Sequence, residues 1–76
     1  MKYSKRQWNR DIEPVIKLKD RTTMATIAKE LRKRTREKVH MPNLRSWMHP
    51  DREKLTQPLY GTGSILLEIG WEMIRK

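Results

Sequence analysis

Between Thr22 and Met48 the stretch TTMATIAKELRKRTREKVHMPNLRSWM reads as two helices joined by a polar break. Met24, Ile27, Ala28 and Leu31 stand at i, i+3, i+4 and i+7, the spacing of one apolar stripe on an amphipathic helix. Thr22 or Thr23 can cap its start. The opposite face carries Thr26, Lys29, Glu30, Lys33 and Arg34, and a basic run continues through Arg36 and Lys38, where the helical pattern weakens and the helix should end. A second, short helix is expected to open at Pro42, since proline suits a first helical position whose N–H would go unbonded. Leu44, Trp47 and Met48 then turn inward and leave Asn43, Arg45 and Ser46 outside. A helix lying across, followed by one that presents amide, guanidinium and hydroxyl groups, is the layout needed to read a DNA major groove, so a helix-turn-helix is expected here.

A chain of 76 residues forms one domain, 1–76, and so short a chain buries only about 60% of its unfolded surface, which points to a small core or to a dimer. Without cysteine it has no disulfides and no thiolate metal ligands, so an intracellular, cytoplasmic setting is expected. No apolar run approaches the roughly 20 residues that span a bilayer, and MKYSKRQWNR lacks the apolar centre of a signal peptide; the expectation is a soluble, unprocessed protein. Eighteen Lys and Arg against nine Asp and Glu give a net charge of +9, which attracts polyanions. Nucleic acid is therefore the leading partner. A ribosome-associated or merely basic protein would have the same charge.

Residues 1–10 carry Lys2, Lys5, Arg6 and Arg10 without an acid, and Ser4 with Gln7 has the spacing of a capping box. Either a short helix starts there or a basic arm reaches a DNA backbone. Asp11 is a plausible cap for a first helix, with Glu13 and Pro14 in its first turn and Ile12, Val15 and Ile16 as its apolar stripe. The link Asp20-Arg21-Thr22-Thr23 is short, so the first two helices should pack closely. After Trp47, HPDREKLTQPLYGTG has too many breakers for a helix. Leu55, Leu59 and Tyr60 either anchor it to the core, the preferred reading, or belong to a small β-wing. Tyr60-Gly61-Thr62-Gly63 reads as a turn, and SILLEIGWEMIRK as a final helix with Ser64 near its cap. The whole is expected to be all-α, a compact bundle of four or five helices with Ile27, Leu31, Leu44, Trp47, Ile65, Leu66 and Ile69 in the core. Trp47 and Trp71 are expected to pack rather than stack on bases. The apolar arc of the last helix exceeds one small core, so Leu67, Trp71 and Ile74 are assigned to a dimer interface unless the preceding loop covers them.

The segments Trp8-Asn9-Arg10, Thr26-Ile27-Ala28-Lys29-Glu30-Leu31, Asn43-Leu44-Arg45-Ser46-Trp47 and Ile65-Leu66-Leu67-Glu68-Ile69 together resemble the small helix-turn-helix regulators of temperate bacteriophages, the Cro and Ner type of the lambda-repressor-like fold. Trp8-Asn9-Arg10 and Val15-Ile16 leading into Leu18-Lys19 look like the opening of a Ner-type chain. Thr26-Ile27-Ala28-Lys29-Glu30-Leu31 looks like that family's second helix, Asn43-Leu44-Arg45-Ser46-Trp47 is similar to a recognition helix, and Ile65-Leu66-Leu67-Glu68-Ile69 resembles the apolar helix that follows. One departure is that Arg32 to Met41 is longer than the family's turn and holds no glycine. The resemblance implies a repressor-type transcriptional regulator acting on double-stranded DNA in a bacterial host, where it would be nucleoid-associated.

Asn43, Arg45 and Ser46 are the expected base readers: a guanidinium can fork onto guanine O6 and N7, and a carboxamide onto adenine N6 and N7. Lys29, Lys33, Arg34, Arg36 and Lys38 suit phosphate, where charge and reach suffice, and Thr22 and Thr23 could offer hydroxyls and helix-start N–H groups to it or simply cap. His40, His49 and Asp51 match no metal-ligand spacing, and no set of residues assembles a catalytic constellation, so no metal, cofactor, small-molecule substrate or enzymatic activity is expected. Two rival functions remain: an excisionase-like architectural factor with a β-wing near 55–64, and a basic RNA- or ribosome-binding adaptor, for which exposed base-stacking aromatics would speak.

Overall fold

The computed structural model describes residues 1–17, 21–36 and 38–75, with the side chains of 21–23 outside the description. The chain is all-α, with four helices in the order α1 (Lys5–Ile16), α2 (Arg21–Thr35), α3 (Met41–Trp47) and α4 (Tyr60–Arg75). None among the described residues is long and apolar enough to cross a membrane.

α1 starts where the capping spacing put it: the Ser4 hydroxyl accepts the Gln7 N–H at 3.2 Å. Residues 5–10 are thus helix rather than a basic arm, and Asp11 lies inside the helix instead of capping it. Pro14 also lies inside, where it denies the Arg10 carbonyl its usual donor. The helix tolerates this because Trp8, Ile12 and Val15, at i, i+4 and i+7, are fully buried and hold it down. Ahead of α1, residues 1–3 run extended beside the end of the 48–59 loop, with Tyr3 N–H donating to the Pro58 carbonyl (3.1 Å) and Tyr60 N–H to the Met1 carbonyl (2.7 Å). The only sheet-like pairing among the described residues is the single antiparallel bridge between Lys2 and Leu59, so no β-wing forms.

α4 is longer than its apolar pattern suggested. Gly61 and Gly63, read as a turn, lie in its first turn, and Ser64 is inside it, its hydroxyl donating to the Tyr60 carbonyl at 2.8 Å. The reason is tertiary. A Cβ on Gly63 would stand 2.7 Å from Tyr3 Cδ2, and one on Gly70 2.5 Å from Val15 Cγ2, so each glycine lets a residue from the N-terminal part of the chain sit directly on the α4 backbone. α2 packs on the other flank of α4. The expected close packing of α1 on α2 is replaced by the packing of both on α4, whose wide apolar arc serves two neighbours at once.

α3 is held across this pair. Leu44 and Met48 are buried, the Trp8 indole N–H donates to the Trp47 carbonyl (2.9 Å), and the Thr56 N–H donates to the Ser46 carbonyl (3.0 Å). The long loop is anchored by Leu55 and Pro58 rather than by Leu59 and Tyr60, which are 55% and 46% exposed. Trp8 replaces Trp47 as the central aromatic; Trp47 and Ile65 are half-buried at the core's edge, and Trp71 is outside it. Arg52 ties the loop to α1 through Glu13 at 2.9 Å.

Two expectations follow for stability. Gly70→Ala should destabilise by about 1–3 kcal/mol through overpacking, with much of the loss recovered in a Val15→Ala background, whereas Gly61→Ala, which meets nothing within 4 Å, should be neutral or slightly stabilising. Thermal or urea unfolding of the four chains tests the difference in sign. The hydrogen bond and charge of Arg52, then the charge of Lys17, hold the Glu13 carboxyl below its ordinary 4.5. Its contribution is accordingly present above that pH and is lost as pH falls through the lowered value. An NMR titration should find Glu13 below 4.5, and Arg52→Ala should move it back up.

Candidate nucleic-acid interface

Lys29, Arg32, Lys33 and Arg36 stand at i, i+3, i+4 and i+7, and all four are exposed, so they form one cationic face along the solvent side of α2. The stripe opposite, Ile27, Ala28 and Leu31, is buried. α2 ends at Thr35, and Arg36 just after it has a φ of 57°, in the left-handed region, while its N–H still donates to the Arg32 carbonyl at 2.9 Å. Glycine is the usual occupant of such a helix-terminating position because a Cβ is crowded there. Here an arginine occupies it, turning the chain while adding a charge to the face.

The link of residues 36–40 then carries Lys38 and His40 into two shallow clefts. Arg32, Lys38, Val39, His40 and Met41 line one, and Leu31, Thr35, Lys38, His40, Asn43, Trp47 and Thr62 are among those lining the other. Lys38 and His40 therefore join the cationic face of α2 to the start of α3. His40 occupies the N-cap position of α3 without a side-chain capping bond, and Pro42 falls at the second helical position, one later than expected.

α3 divides its three expected base readers. Residues two apart on a helix point about 200° away from each other, so Asn43 and Arg45 do not share a face. Asn43 is exposed beside Lys38, His40 and Thr62; Arg45 is exposed on the other side. Ser46 falls on the Asn43 side, but it is half-buried and its hydroxyl donates to the Pro42 carbonyl at 3.1 Å, leaving it only an acceptor.

Arg34 is not part of the cationic face. It turns toward α4, where it contacts Glu72 at 2.6 Å, Glu68 at 3.7 Å and Glu30 at 3.7 Å. The hydrogen bond it donates to Glu72 leads in raising its pKa above the ordinary guanidinium value. Three carboxylates compete for this guanidinium, so it fastens α2 to α4 and is a poor phosphate ligand. Arg32, which the sequence reading passed over, takes its place. The helical spacing held that signal: Arg32 is three residues from Lys29 and four from Arg36, whereas Arg34 is three from buried Leu31. The side chains of Thr22 and Thr23 lie outside the described residues.

Among the described residues, the carboxylates that form ion pairs form them away from the cationic face. Glu13 is bound by Lys17 and Arg52, Asp11 by Arg10, and Glu30, Glu68 and Glu72 by Arg34. Among the described residues no carboxylate bridges Lys29, Arg32, Lys33, Arg36, Lys38 or Arg45. His49 Nδ1 accepts the Asp51 N–H in a local turn, and no group of three or more metal-ligating side chains comes together among the described residues. Leu67 is half-buried against the core, while Trp71 and Ile74 remain 45% and 36% exposed, uncovered by the loop.

No protein family matches the chain, and neither a curated protein nor a solved structure shows detectable similarity to it.

Arg36→Gly should raise stability by about 0.5–1 kcal/mol, by relieving the left-handed residue, while weakening any polyanion contact made there. Arg34→Ala should do the reverse, lowering stability and leaving polyanion contact unchanged. Unfolding curves measured beside heparin retention separate the two arginines.

Proposed function

We propose that this protein binds double-stranded DNA and regulates transcription by occupying an operator. In this reading Lys29, Arg32, Lys33, Arg36 and Lys38 contact phosphates, and α3 is offered to the base edges. The observation that carries the reading is the separation of charge among the described residues: Lys29, Arg32, Lys33, Arg36 and Lys38 gather without carboxylate partners, while Asp11, Glu13, Glu30, Glu68 and Glu72 are paired with Arg10, Lys17, Arg52 and Arg34. A phosphate backbone needs such a surface. Asn43, beside the clefts lined by Lys38 and His40, is the first base reader. Arg45 reads from the other side of α3, across a groove rather than beside Asn43.

The likeness to small phage helix-turn-helix regulators belongs to the same proposal, as does residence on a bacterial nucleoid. Two consecutive helices with cations at their junction support it. The long, glycine-free passage from Arg32 to Met41 departs from the family's pattern and calls for a shallower engagement of the groove. Occupancy by paired copies fits too, because one short helix spans only a few base pairs.

An RNA- or ribosome-binding adaptor is the second reading, and Tyr60 favours it. This ring is 46% exposed and stacks on Tyr3, with centroids 4.3 Å apart and planes 5° apart, so its outer side could receive an unpaired base.

Binding to duplex DNA, single strands and structured RNA at several salt concentrations tests both. For duplex DNA, Lys29→Ala, Arg32→Ala, Lys33→Ala and Lys38→Ala should each lower the salt slope by about one unit, about equally for all sequences, with Arg34→Ala leaving it unchanged. Asn43→Ala and Arg45→Ala should each cost about 1–3 kcal/mol on a preferred site and much less on random DNA. Preference for single-stranded RNA, abolished by Tyr60→Ala, would replace the DNA reading with the second.

A further inference from the structure

α1 packs on one flank of α4 and α2 on the other. Between them Leu67, Glu68, Trp71, Ile74 and Arg75 share a strip that covers about a third of the helix circumference at 3.6 residues per turn. Trp71 and Ile74 are among the large apolar side chains left exposed, and Glu68 and Arg75 are exposed beside them. The preceding loop, which could have covered the strip, buries Leu55 in the core and pairs Leu59 with Lys2.

The order of charges along the strip identifies what fits it. Glu68 lies three residues before Trp71, and Arg75 lies four after. Laid antiparallel on a second α4 with Trp71 opposite Trp71, each Glu68 meets the Arg75 of the other copy and each Leu67 meets an Ile74. Laid parallel, Glu68 opposes Glu68 and Arg75 opposes Arg75. The strip complements itself in one orientation only.

We propose that a second copy of this chain docks here, α4 against α4, antiparallel, with Trp71 beside the twofold axis and two Glu68–Arg75 pairs across it. That axis is perpendicular to both helices and leaves the α2 flank on the same side in each copy. Both cationic faces then look toward one side, where a single duplex can meet them. For its purpose, though not for its existence, this pairing rests on the DNA-binding reading. The strip is much smaller than the roughly 800 Å² per partner of a standard stable interface, so association of the free protein is weak and strengthens on DNA.

Sedimentation equilibrium of the free protein, without nucleic acid, up to about 1 mM tests the pairing, since that range captures association as weak as a millimolar Kd. Glu68→Arg and Arg75→Glu should each raise the dimer Kd by about tenfold or more, and the double variant should return it to within about threefold of the parent. Arg75→Glu leaves the Arg34–Glu68 contact intact, so it reports on pairing even if Glu68→Arg disturbs the fold. Trp71→Ala should abolish association. A parent chain that stays monomeric throughout overturns the proposal, as does a double variant no better than either single. A chain that pairs but ignores duplex DNA would remove the DNA reading and keep the pairing. One that stays monomeric and binds one copy per site would do the opposite.

Discussion

The hydrogen bond from the Trp8 indole to the Trp47 carbonyl fixes more of this molecule than its 2.9 Å suggests. α3 has seven residues, too few to hold a helix in water, and beyond Leu44 its last carbonyls find no donor within the helix. Trp8 supplies one from the centre of the core, where the ring is fully buried, while Leu44 and Met48 give α3 its apolar footing. The orientation of Asn43 and Arg45 is consequently set by α1, which contributes no residue to the proposed phosphate face. Because the indole is buried, an unpaired N–H there would cost the full desolvation of a polar group, so the bond holds register as well as position.

Local patterns made much of the fold legible. The stripe Met24, Ile27, Ala28 and Leu31 placed α2, and the Ser4–Gln7 spacing marked the true start of α1, although Asp11 competed with it. What escaped was set by residues far away in the chain. Gly61 and Gly63 look like a turn until Tyr3 is seen lying on the α4 backbone at Gly63. Arg34 looks like one more cation in a basic run, because Glu68 and Glu72 are more than thirty residues distant. Trp8 and Trp71 exchange the places that apolar context suggested: Trp8 stands among polar neighbours in sequence yet lies at the centre, whereas Trp71 stands among aliphatics and faces solvent. In the proposed site, the helical spacing of Lys29, Arg32, Lys33 and Arg36 could be read in advance; the clefts at Lys38 and His40 could not, because they depend on how the link leaves Arg36.

Charge does two separate jobs on α2. On the side facing α4, Arg34 gathers three carboxylates into a network, and on the outer side the cations have none among the described residues. Salt weakens both, but unequally. Exposed charges lose most of their reach beyond a Debye length, about 8 Å at physiological ionic strength, whereas the 2.6 Å contact with Glu72 is short and directional. Rising salt thus weakens the attraction of the outer face for any polyanion before it loosens α2 from α4.

The docking of both α1 and α2 onto α4 also has a bearing on how the chain folds. Val15 reaches Gly70 across more than fifty residues of sequence, so the main contacts are far from local for so small a helical protein. Closing that large loop costs entropy before any packing repays it, and helical chains with distant contacts fold more slowly than those whose neighbours pair. Synthesis runs from the N-terminus, so α4 leaves the ribosome after the two helices that pack on it. Until it does, Trp8, Ile12, Ile27 and Leu31 have no surface to close over them, and the nascent chain is at its most prone to aggregation during that interval.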